Sequence, residues 1–180
     1  MSALANPVFV SVEEYLRTSY DPDCEYVDGV IEERNLGEYA HSIVQAYFTA
    51  LFWNHRKDWG VRVHPEYRVQ AAKTRFRVPD VTVVRSDVPP QDILRTPPLI
   101  AIEILSPEDT MKRLMEKIAD YLRFSVEHIW VIDPYDRRAF HADGRGLHEP
   151  AEGSATATLT IPGTPIAVPL PELWRELDPA

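Results

Sequence analysis

Residues 99–105 read LIAIEIL, the most apolar stretch in this chain of 180 residues. A near-continuous apolar run of this length is typical of a central strand that is covered on both faces of its sheet. One charged residue, Glu103, interrupts the run. A buried carboxylate costs several kcal/mol unless it is paired or bound to a metal ion. Glu103 is therefore the first candidate site residue, and the alternative is a carboxylate paired with a buried arginine.

The preceding strand pattern, residues 75–84 (RFRVPDVTVV), carries a second acid, Asp80, directly after Pro79. A proline removes a ladder hydrogen bond and marks a strand edge or a bulge, and bulges often redirect side chains toward sites. Carboxylates on adjacent strands can share a hard cation such as Mg²⁺. Without a cation Asp80 and Glu103 would repel each other, so we expect Asp80→Asn to stabilise the metal-free protein.

Lys117 is the third candidate, and it lies on a predicted helix rather than on a strand. Leu114 and Tyr121 are its neighbours at i−3 and i+4, which places Lys117 at the margin of the apolar helix face. Its stem can pack while its amine reaches toward the sheet. The alternatives are a surface lysine at 117 and a tyrosine at 121 that only completes the core.

Apolar periodicity, the capping-box spacing of Ser11 and Glu14 and the tight-turn pair Asp28-Gly29 predict the remaining elements. Helices are expected over 11–18, 38–57 and 108–124, a hairpin over 25–34, and strands over 61–69, 75–84, 99–105 and 128–133. After residue 137, short apolar stretches alternate with Gly and Pro, a pattern typical of small antiparallel strands. We predict an α/β fold with one mixed sheet flanked by helices, in a single domain over 1–180.

Composition suggests a cellular location. Cys24 is the only cysteine, so no internal disulfide and no cysteine-based zinc site can form. No apolar run reaches the roughly 18 residues that a membrane helix needs, and the N-terminus lacks the pattern of a signal peptide. We expect a cytoplasmic protein that does not bind membranes.

Several short motifs occur in a defined order along the chain. They are Glu25-Tyr26-Val27-Asp28-Gly29, His41, Pro79-Asp80, Glu103-Ile104-Leu105-Ser106-Pro107, Glu116-Lys117 with Tyr121, Trp130-Val131-Ile132-Asp133-Pro134 and Pro162-Gly163. Together they resemble a large bacterial family of restriction-endonuclease-like proteins (Uma type, formerly a domain of unknown function) in the PD-(D/E)XK nuclease superfamily. The resemblance covers nearly the whole chain.

This resemblance implies a restriction-endonuclease-like αβββαβ core, with an N-terminal hairpin and short C-terminal strands. It implies Asp80, Glu103 and Lys117 as the catalytic core, with Asp80, Glu103 and the Ile104 carbonyl holding Mg²⁺ or Mn²⁺. Most of the superfamily has the lysine two residues after the acid, where this chain has Leu105. The family pattern places it on the following helix, where Lys117 matches.

Other residues receive weaker assignments from the same resemblance. Glu25, His41 and Tyr121 are possible additional site residues, although Glu25 could equally form a surface salt bridge and His41 could be an ordinary helix-face histidine. Arg113 stands where many family members have an Asp, and it is a possible phosphate contact. Arg77 is another, because it belongs to the basic segment 55–77.

The implied function is metal-dependent hydrolysis of the DNA backbone. A homodimer is also expected, because many such nucleases cut the two strands as pairs. The alternatives are an inactive nuclease-fold module that binds proteins or nucleic acid, and a hydrolase of small phosphoesters. The net charge of -9 is awkward for a DNA enzyme, because phosphate attracts basic surfaces. Residues 55–77 are strongly basic, and they form either a phosphate-facing surface or a strand edge protected by charge.

Overall fold

The computed structural model describes residues 9–35 and 37–178. The helices are α1 (Val12–Arg17), α2 (Tyr39–His55), α3 (Met111–Arg123) and α4 (Leu170–Glu176). The strands are β1 (Cys24–Val27), β2 (Val30–Glu33), β3 (Val61–Pro65), β4 (Val69–Ala72), β5 (Arg75–Arg77), β6 (Val81–Arg85), β7 (Ile100–Ile104), β8 (His128–Asp133), β9 (Arg138–Asp143), β10 (Gly146–His148), β11 (Thr158–Thr160) and β12 (Ala167–Pro169). The domain prediction over 1–180 includes residues 1–8, 36 and 179–180, which lie outside the described part.

The central sheet has six strands in the order β10-β9-β8-β7-β6-β3. Only β7 and β8 run parallel among these neighbours, because the helix α3 crosses between them, and the other pairs are antiparallel. In chain order α2, β3, β6, β7, α3 and β8 form the predicted αβββαβ core. The prediction of a mixed central sheet flanked by helices is confirmed.

Helices cover both faces of this sheet, as the apolar pattern of β7 predicts. On one face α2 packs Phe48 and Phe52 against Trp130, with α4 beside it. On the other face α3 contributes Leu114 and Ile118 to a second cluster. Alternation along β7 turns the three isoleucines toward α2, so Glu103 faces α3.

Two predicted strands are each divided between two sheets, which corrects the expectation of a single sheet. Residues 61–69 form β3 and the start of β4, and residues 75–84 form β5 and most of β6. The first interruption, between β3 and β4, includes Glu66 at a positive φ of 51°. The second is Val78-Pro79-Asp80, where Pro79 has no amide to donate. Asp80, expected on a strand, lies in this break directly before β6.

The smaller sheet has four antiparallel strands in the order β2-β1-β5-β4, and it contains the predicted hairpin. The hairpin turn has positive φ at both Asp28 (49°) and Gly29 (98°), as a two-residue type I′ turn requires. Strands β11 and β12 pair as a third, two-stranded sheet near the C-terminal end. Within residues 9–35 and 37–178, no helix is long and apolar enough to cross a membrane.

Candidate active site

Asp80 lies at the point where the two larger sheets meet. The register of β6 and β7, continued by one residue, places it opposite Glu103. Its backbone carbonyl accepts hydrogen bonds from the Gln45 side chain (3.0 Å) and from the Glu66 amide (3.1 Å). The backbone at Asp80, between β5 and β6, is therefore hydrogen-bonded to α2 and to the residue that follows β3.

The Asp80 carboxylate is buried and fully engaged. Its Oδ2 accepts the Ile104 amide at 2.7 Å, and its Oδ1 lies 2.9 Å from Arg34 Nη2 and 3.3 Å from His41 Nε2. Burial alone would raise the pKa of Asp80, but the His41 hydrogen bond and the charges of Lys117 and Arg34 outweigh it and lower the pKa. Asp80 is thus held as a carboxylate.

Glu103 is buried opposite, with one partner on each oxygen. Its Oε2 accepts from Lys117 Nζ at 2.9 Å, and its Oε1 accepts from the Tyr121 hydroxyl. Burial raises the pKa of Glu103, and repulsion from Asp80 and Glu25 adds to this, so that Lys117 does not restore the usual value. Added positive charge beside Glu103 would stabilise its ionised form.

Lys117 connects Glu103 to a second buried acid, since its Nζ also lies 3.2 Å from Glu25 Oε1. Burial by itself would lower the pKa of Lys117, but Glu103, Glu25 and Asp80 raise it above its ordinary value. The lysine is therefore an ammonium ion at neutral pH. It can donate hydrogen bonds and stabilise negative charge, but it cannot act as a base.

Behind Lys117, a chain of ion pairs joins the hairpin to α3. Glu25 accepts from Arg77 Nη1 at 2.8 Å and from the Val78 amide at 3.1 Å. Arg77 Nε also donates to Asp120 Oδ2 at 2.8 Å. The pKa of Glu25 is lowered, because Lys117 and Arg77 outweigh the effect of burial. These pairs fix the position from which Lys117 reaches Glu103.

The two acids open into one small polar cavity of about 30 Å³. Its lining comprises Arg34, Asn35, His41, Asp80, Glu103, Ile104, Ser106, Asp109, Arg113 and Lys117. A larger and mainly apolar cavity of about 350 Å³ adjoins it, sharing Ser106 and Asp109. The smaller cavity holds the charged groups, so we place the chemistry there.

The donors in this cavity fit a hard divalent cation. Across the described ranges, no group of three or more His, Cys, Asp or Glu side chains is arranged to hold a metal ion. A cation would therefore rest on Asp80 and Glu103, with the Ile104 carbonyl and waters completing its shell. Mg²⁺ prefers such a set. Asp80 Oδ2 and both oxygens of Glu103 have one hydrogen-bond donor each and so retain a second lone pair, whereas Asp80 Oδ1 contacts both Arg34 and His41.

Comparison with known proteins identifies the family. The family model Uma2, described as putative restriction endonuclease, matches residues 12–169. The chain belongs to the Uma2 family. The family predicted from the sequence motifs is thereby confirmed, and membership supports a nuclease-like function.

A solved structure shares the fold of this Uma2 protein. It is the crystal structure of a putative nuclease belonging to DUF820 from Anabaena variabilis, with a TM-score of 0.78 and 21% sequence identity. The alignment covers 93% of this chain and 99% of that chain. No curated protein matched in the comparison by sequence.

Two predictions about site residues of the Uma2 protein need correction. Arg77 was a possible phosphate contact, but its side chain is 0% exposed and is bonded to Glu25, Glu32 and Asp120. A guanidinium enclosed by three carboxylates cannot reach DNA. The surface salt bridge considered for Glu25 is also wrong, because that side chain is 0% exposed as well.

The structure places the other candidates around the cavity, and their roles stay predictions. His41 contacts Asp80, and Tyr121 contacts Glu103. Arg113 lies at the cavity wall, where its guanidinium donates to the Glu33 carbonyl.

The basic segment 55–77 is mostly committed to internal contacts. Arg68 pairs with Asp23 at 2.5 Å, and Arg75 pairs with both Asp28 (2.6 Å) and Asp120 (2.9 Å). These arginines join β4 and β5 to neighbouring elements. Such pairing weakens the interpretation of this segment as a phosphate-facing surface.

Sequence reasoning missed Arg34 and Asp120. Arg34 stands alone among the acids of residues 25–38, and Asp120 lies one turn after Lys117, but neither signal is specific. Arg34 also corrects the expectation for Asp80→Asn. Because Arg34 and His41 pair with Asp80, the two site acids do not face each other uncompensated.

Proposed function

We propose that this Uma2 protein is a Mg²⁺- or Mn²⁺-dependent endonuclease that hydrolyses the phosphodiester backbone of DNA. The observation that carries the proposal is the convergence of Asp80, Glu103 and Lys117 in one polar cavity. Two carboxylates can hold a cation for metal-assisted phosphodiester hydrolysis, and an ammonium group beside them can stabilise charge on the phosphate.

Each side chain has a defined part in this proposal. Asp80 and Glu103, with the Ile104 carbonyl, would hold the cation. The chemistry that the cation supplies when bound is activation of a water and neutralisation of charge on the phosphate oxygens. Lys117 donates toward the negative charge that develops on the phosphate. Tyr121 holds one oxygen of Glu103 in place.

A second candidate is a non-catalytic module that binds nucleic acid or protein. The site groups are already paired with one another, which favours this candidate. The net charge of -9 favours it as well. A purely structural role for these ion pairs, however, does not explain why they line a cavity that opens to the surface.

A cleavage assay separates the two candidates. The purified protein is incubated with single-stranded and double-stranded DNA, in Mg²⁺, in Mn²⁺ and in a chelator. We expect cleavage that requires the cation, that Asp80→Ala abolishes and that Asp136→Ala, in the exposed turn after β8, retains. Salt-dependent DNA binding without cleavage in either cation would favour the binding module.

A further inference from the structure

Arg34 contacts the Asp80 carboxylate, although no sequence motif indicated it. It follows β2 directly, and its Nη2 lies 2.9 Å from Asp80 Oδ1. Its Nη1 lies 3.1 Å from Glu66 Oε1. The Arg34 side chain is 12% exposed, whereas that of Glu66 is 53% exposed. Arg34 thus links a buried site acid to an acid at the surface.

The two acids of the cavity already have basic partners. Asp80 pairs with Arg34 and contacts His41, and Glu103 pairs with Lys117. A divalent cation on Asp80 and Glu103 would add two positive charges to this compensated set. Charges within a few ångströms of each other in a buried site interact strongly, so one base must move away or an anion must enter.

Arg34 is the base that can move. Arg77 has three carboxylate partners and is fully buried, and Lys117 is held between Glu25 and Glu103. Arg34 instead has one buried partner and one that is half in solvent. It also shares the cavity wall with Asn35 and Arg113, so its displaced guanidinium would remain at the cavity.

We propose that Arg34 is a substrate-binding residue that competes with the divalent cation for Asp80. Before the cation binds, Arg34 pairs with Asp80. After the cation replaces it, the guanidinium binds a non-bridging oxygen of the DNA phosphate, an acceptor whose geometry suits arginine. The inference rests on the proposed function, and it names the residue through which cation and substrate binding are linked.

The first test measures Mn²⁺ binding by titration calorimetry without DNA. Arg34→Ala and the longer Arg34→Gln should bind Mn²⁺ about tenfold more tightly than the wild type, since a competing charged hydrogen bond is lost. Arg113→Ala is the matched control, because it removes the same charge from the same cavity without touching Asp80. Equal affinity in wild type and both Arg34 variants overturns the competition, and so does an equal gain in Arg113→Ala.

The second test measures DNA cleavage at saturating Mn²⁺, where competition for Asp80 no longer matters. Arg34→Ala and Arg34→Gln should then raise the KM for DNA about tenfold, because one charged phosphate contact is lost. An unchanged KM in both variants overturns the phosphate contact.

The outcomes also separate this inference from the proposed function. Mn²⁺ binding and DNA cleavage by the wild type, with no change in the Arg34 variants, would overturn the inference alone. If neither the wild type nor an Arg34 variant binds Mn²⁺, both the inference and the proposed function fail. If only the Arg34 variants bind Mn²⁺, competition at Asp80 is supported in its strongest form.

Discussion

Lys117 reaches the site from α3, because the strand that carries Glu103 has no basic residue to offer. Leu105, two residues after Glu103, is a partly buried apolar side chain that packs against the cluster under α3. The amine of Lys117 instead reaches the Glu103 carboxylate from the helix layer that covers this face of the sheet. A lysine at position 105 on the strand and a lysine at 117 on α3 would both bring a positive charge to Glu103, from different backbone elements.

For Lys117→Ala we expect kcat to fall by about a hundredfold or more, with little change in KM for DNA, because the charge acts on the transition state. The variant also leaves Glu25 and Glu103 without their shared partner. We therefore expect its free energy of unfolding to be lower by about 3 kcal/mol, as when other buried ion pairs are broken.

Lys112→Ala is the control on the same helix, since its side chain is 88% exposed. It should match the wild type in both cleavage rate and denaturant midpoint. Wild-type cleavage by folded Lys117→Ala would show that another group supplies the positive charge.

Glu25 allows a prediction about pH and stability. Its pKa is lower in the folded protein than its ordinary value of 4.5. The stability that it contributes is therefore present above about pH 4.5 and is lost as the pH falls through the folded pKa. Glu25→Gln should be less stable by about 3 kcal/mol at pH 7. Its unfolding free energy should also fall less steeply than that of the wild type below pH 4.5.

Urea denaturation between pH 3 and pH 7, at the same ionic strength throughout, measures this difference. Two parallel curves for wild type and Glu25→Gln would show that Glu25 does not carry the linkage.

At the scale of elements, the smaller sheet and α3 are joined through one buried acid. Asp120 of α3 is 1% exposed and accepts from Arg75 and Arg77, both of β5. Lys117 lies one turn earlier on the same helix. The position of the amine therefore depends on an ion pair between α3 and a strand outside the central sheet.

Asp120→Ala should lower the free energy of unfolding by about 3 kcal/mol, because the buried Arg77 and the partly exposed Arg75 each lose a charged hydrogen bond. Glu116→Ala removes the same charge from an exposed position on α3, and should change stability by less than about 0.5 kcal/mol. Urea denaturation of both variants measures the contrast. Similar midpoints would mean that apolar packing alone holds α3 to β5.

At the scale of the whole molecule, the cation should act as a ligand of the folded state. Because a cation held by Asp80 and Glu103 would bind the folded protein and not the unfolded chain, millimolar Mn²⁺ should raise the Tm by mass action. Asp80→Asn should show no such rise. Without the cation it should melt below the wild type, because Arg34 and His41 lose their charged partner.

Thermal unfolding with and without Mn²⁺ provides the measurement, with Asp136→Ala as a control that keeps the response. A wild-type Tm that is independent of Mn²⁺ would count against the metal site. Light scattering on the same samples tests the homodimer expected from the sequence, which would present two such sites to the two strands of DNA.

The local features of this protein follow from its sequence alone. The apolar run of β7, the helical spacing of α2 and α3, and the Asp28-Gly29 turn depend on residues within a few positions of each other. The capping of α1 does as well, where Ser11 Oγ accepts from the Glu14 amide at 3.1 Å. Glu103 could be chosen as a site residue because a lone charge in an apolar strand is costly wherever that strand packs.

Tertiary structure alone decided which charges meet. Arg34 pairs with Asp80 across 46 positions of the chain, and Arg77 pairs with Glu25 across 52. No local spacing indicates either contact, so Arg77 resembled a surface arginine and Arg34 gave no signal. The division of residues 61–69 and 75–84 between two sheets has the same origin. Which strands pair depends on hydrogen bonds between residues that are far apart in the sequence, whereas the alternation of side chains along a strand is local.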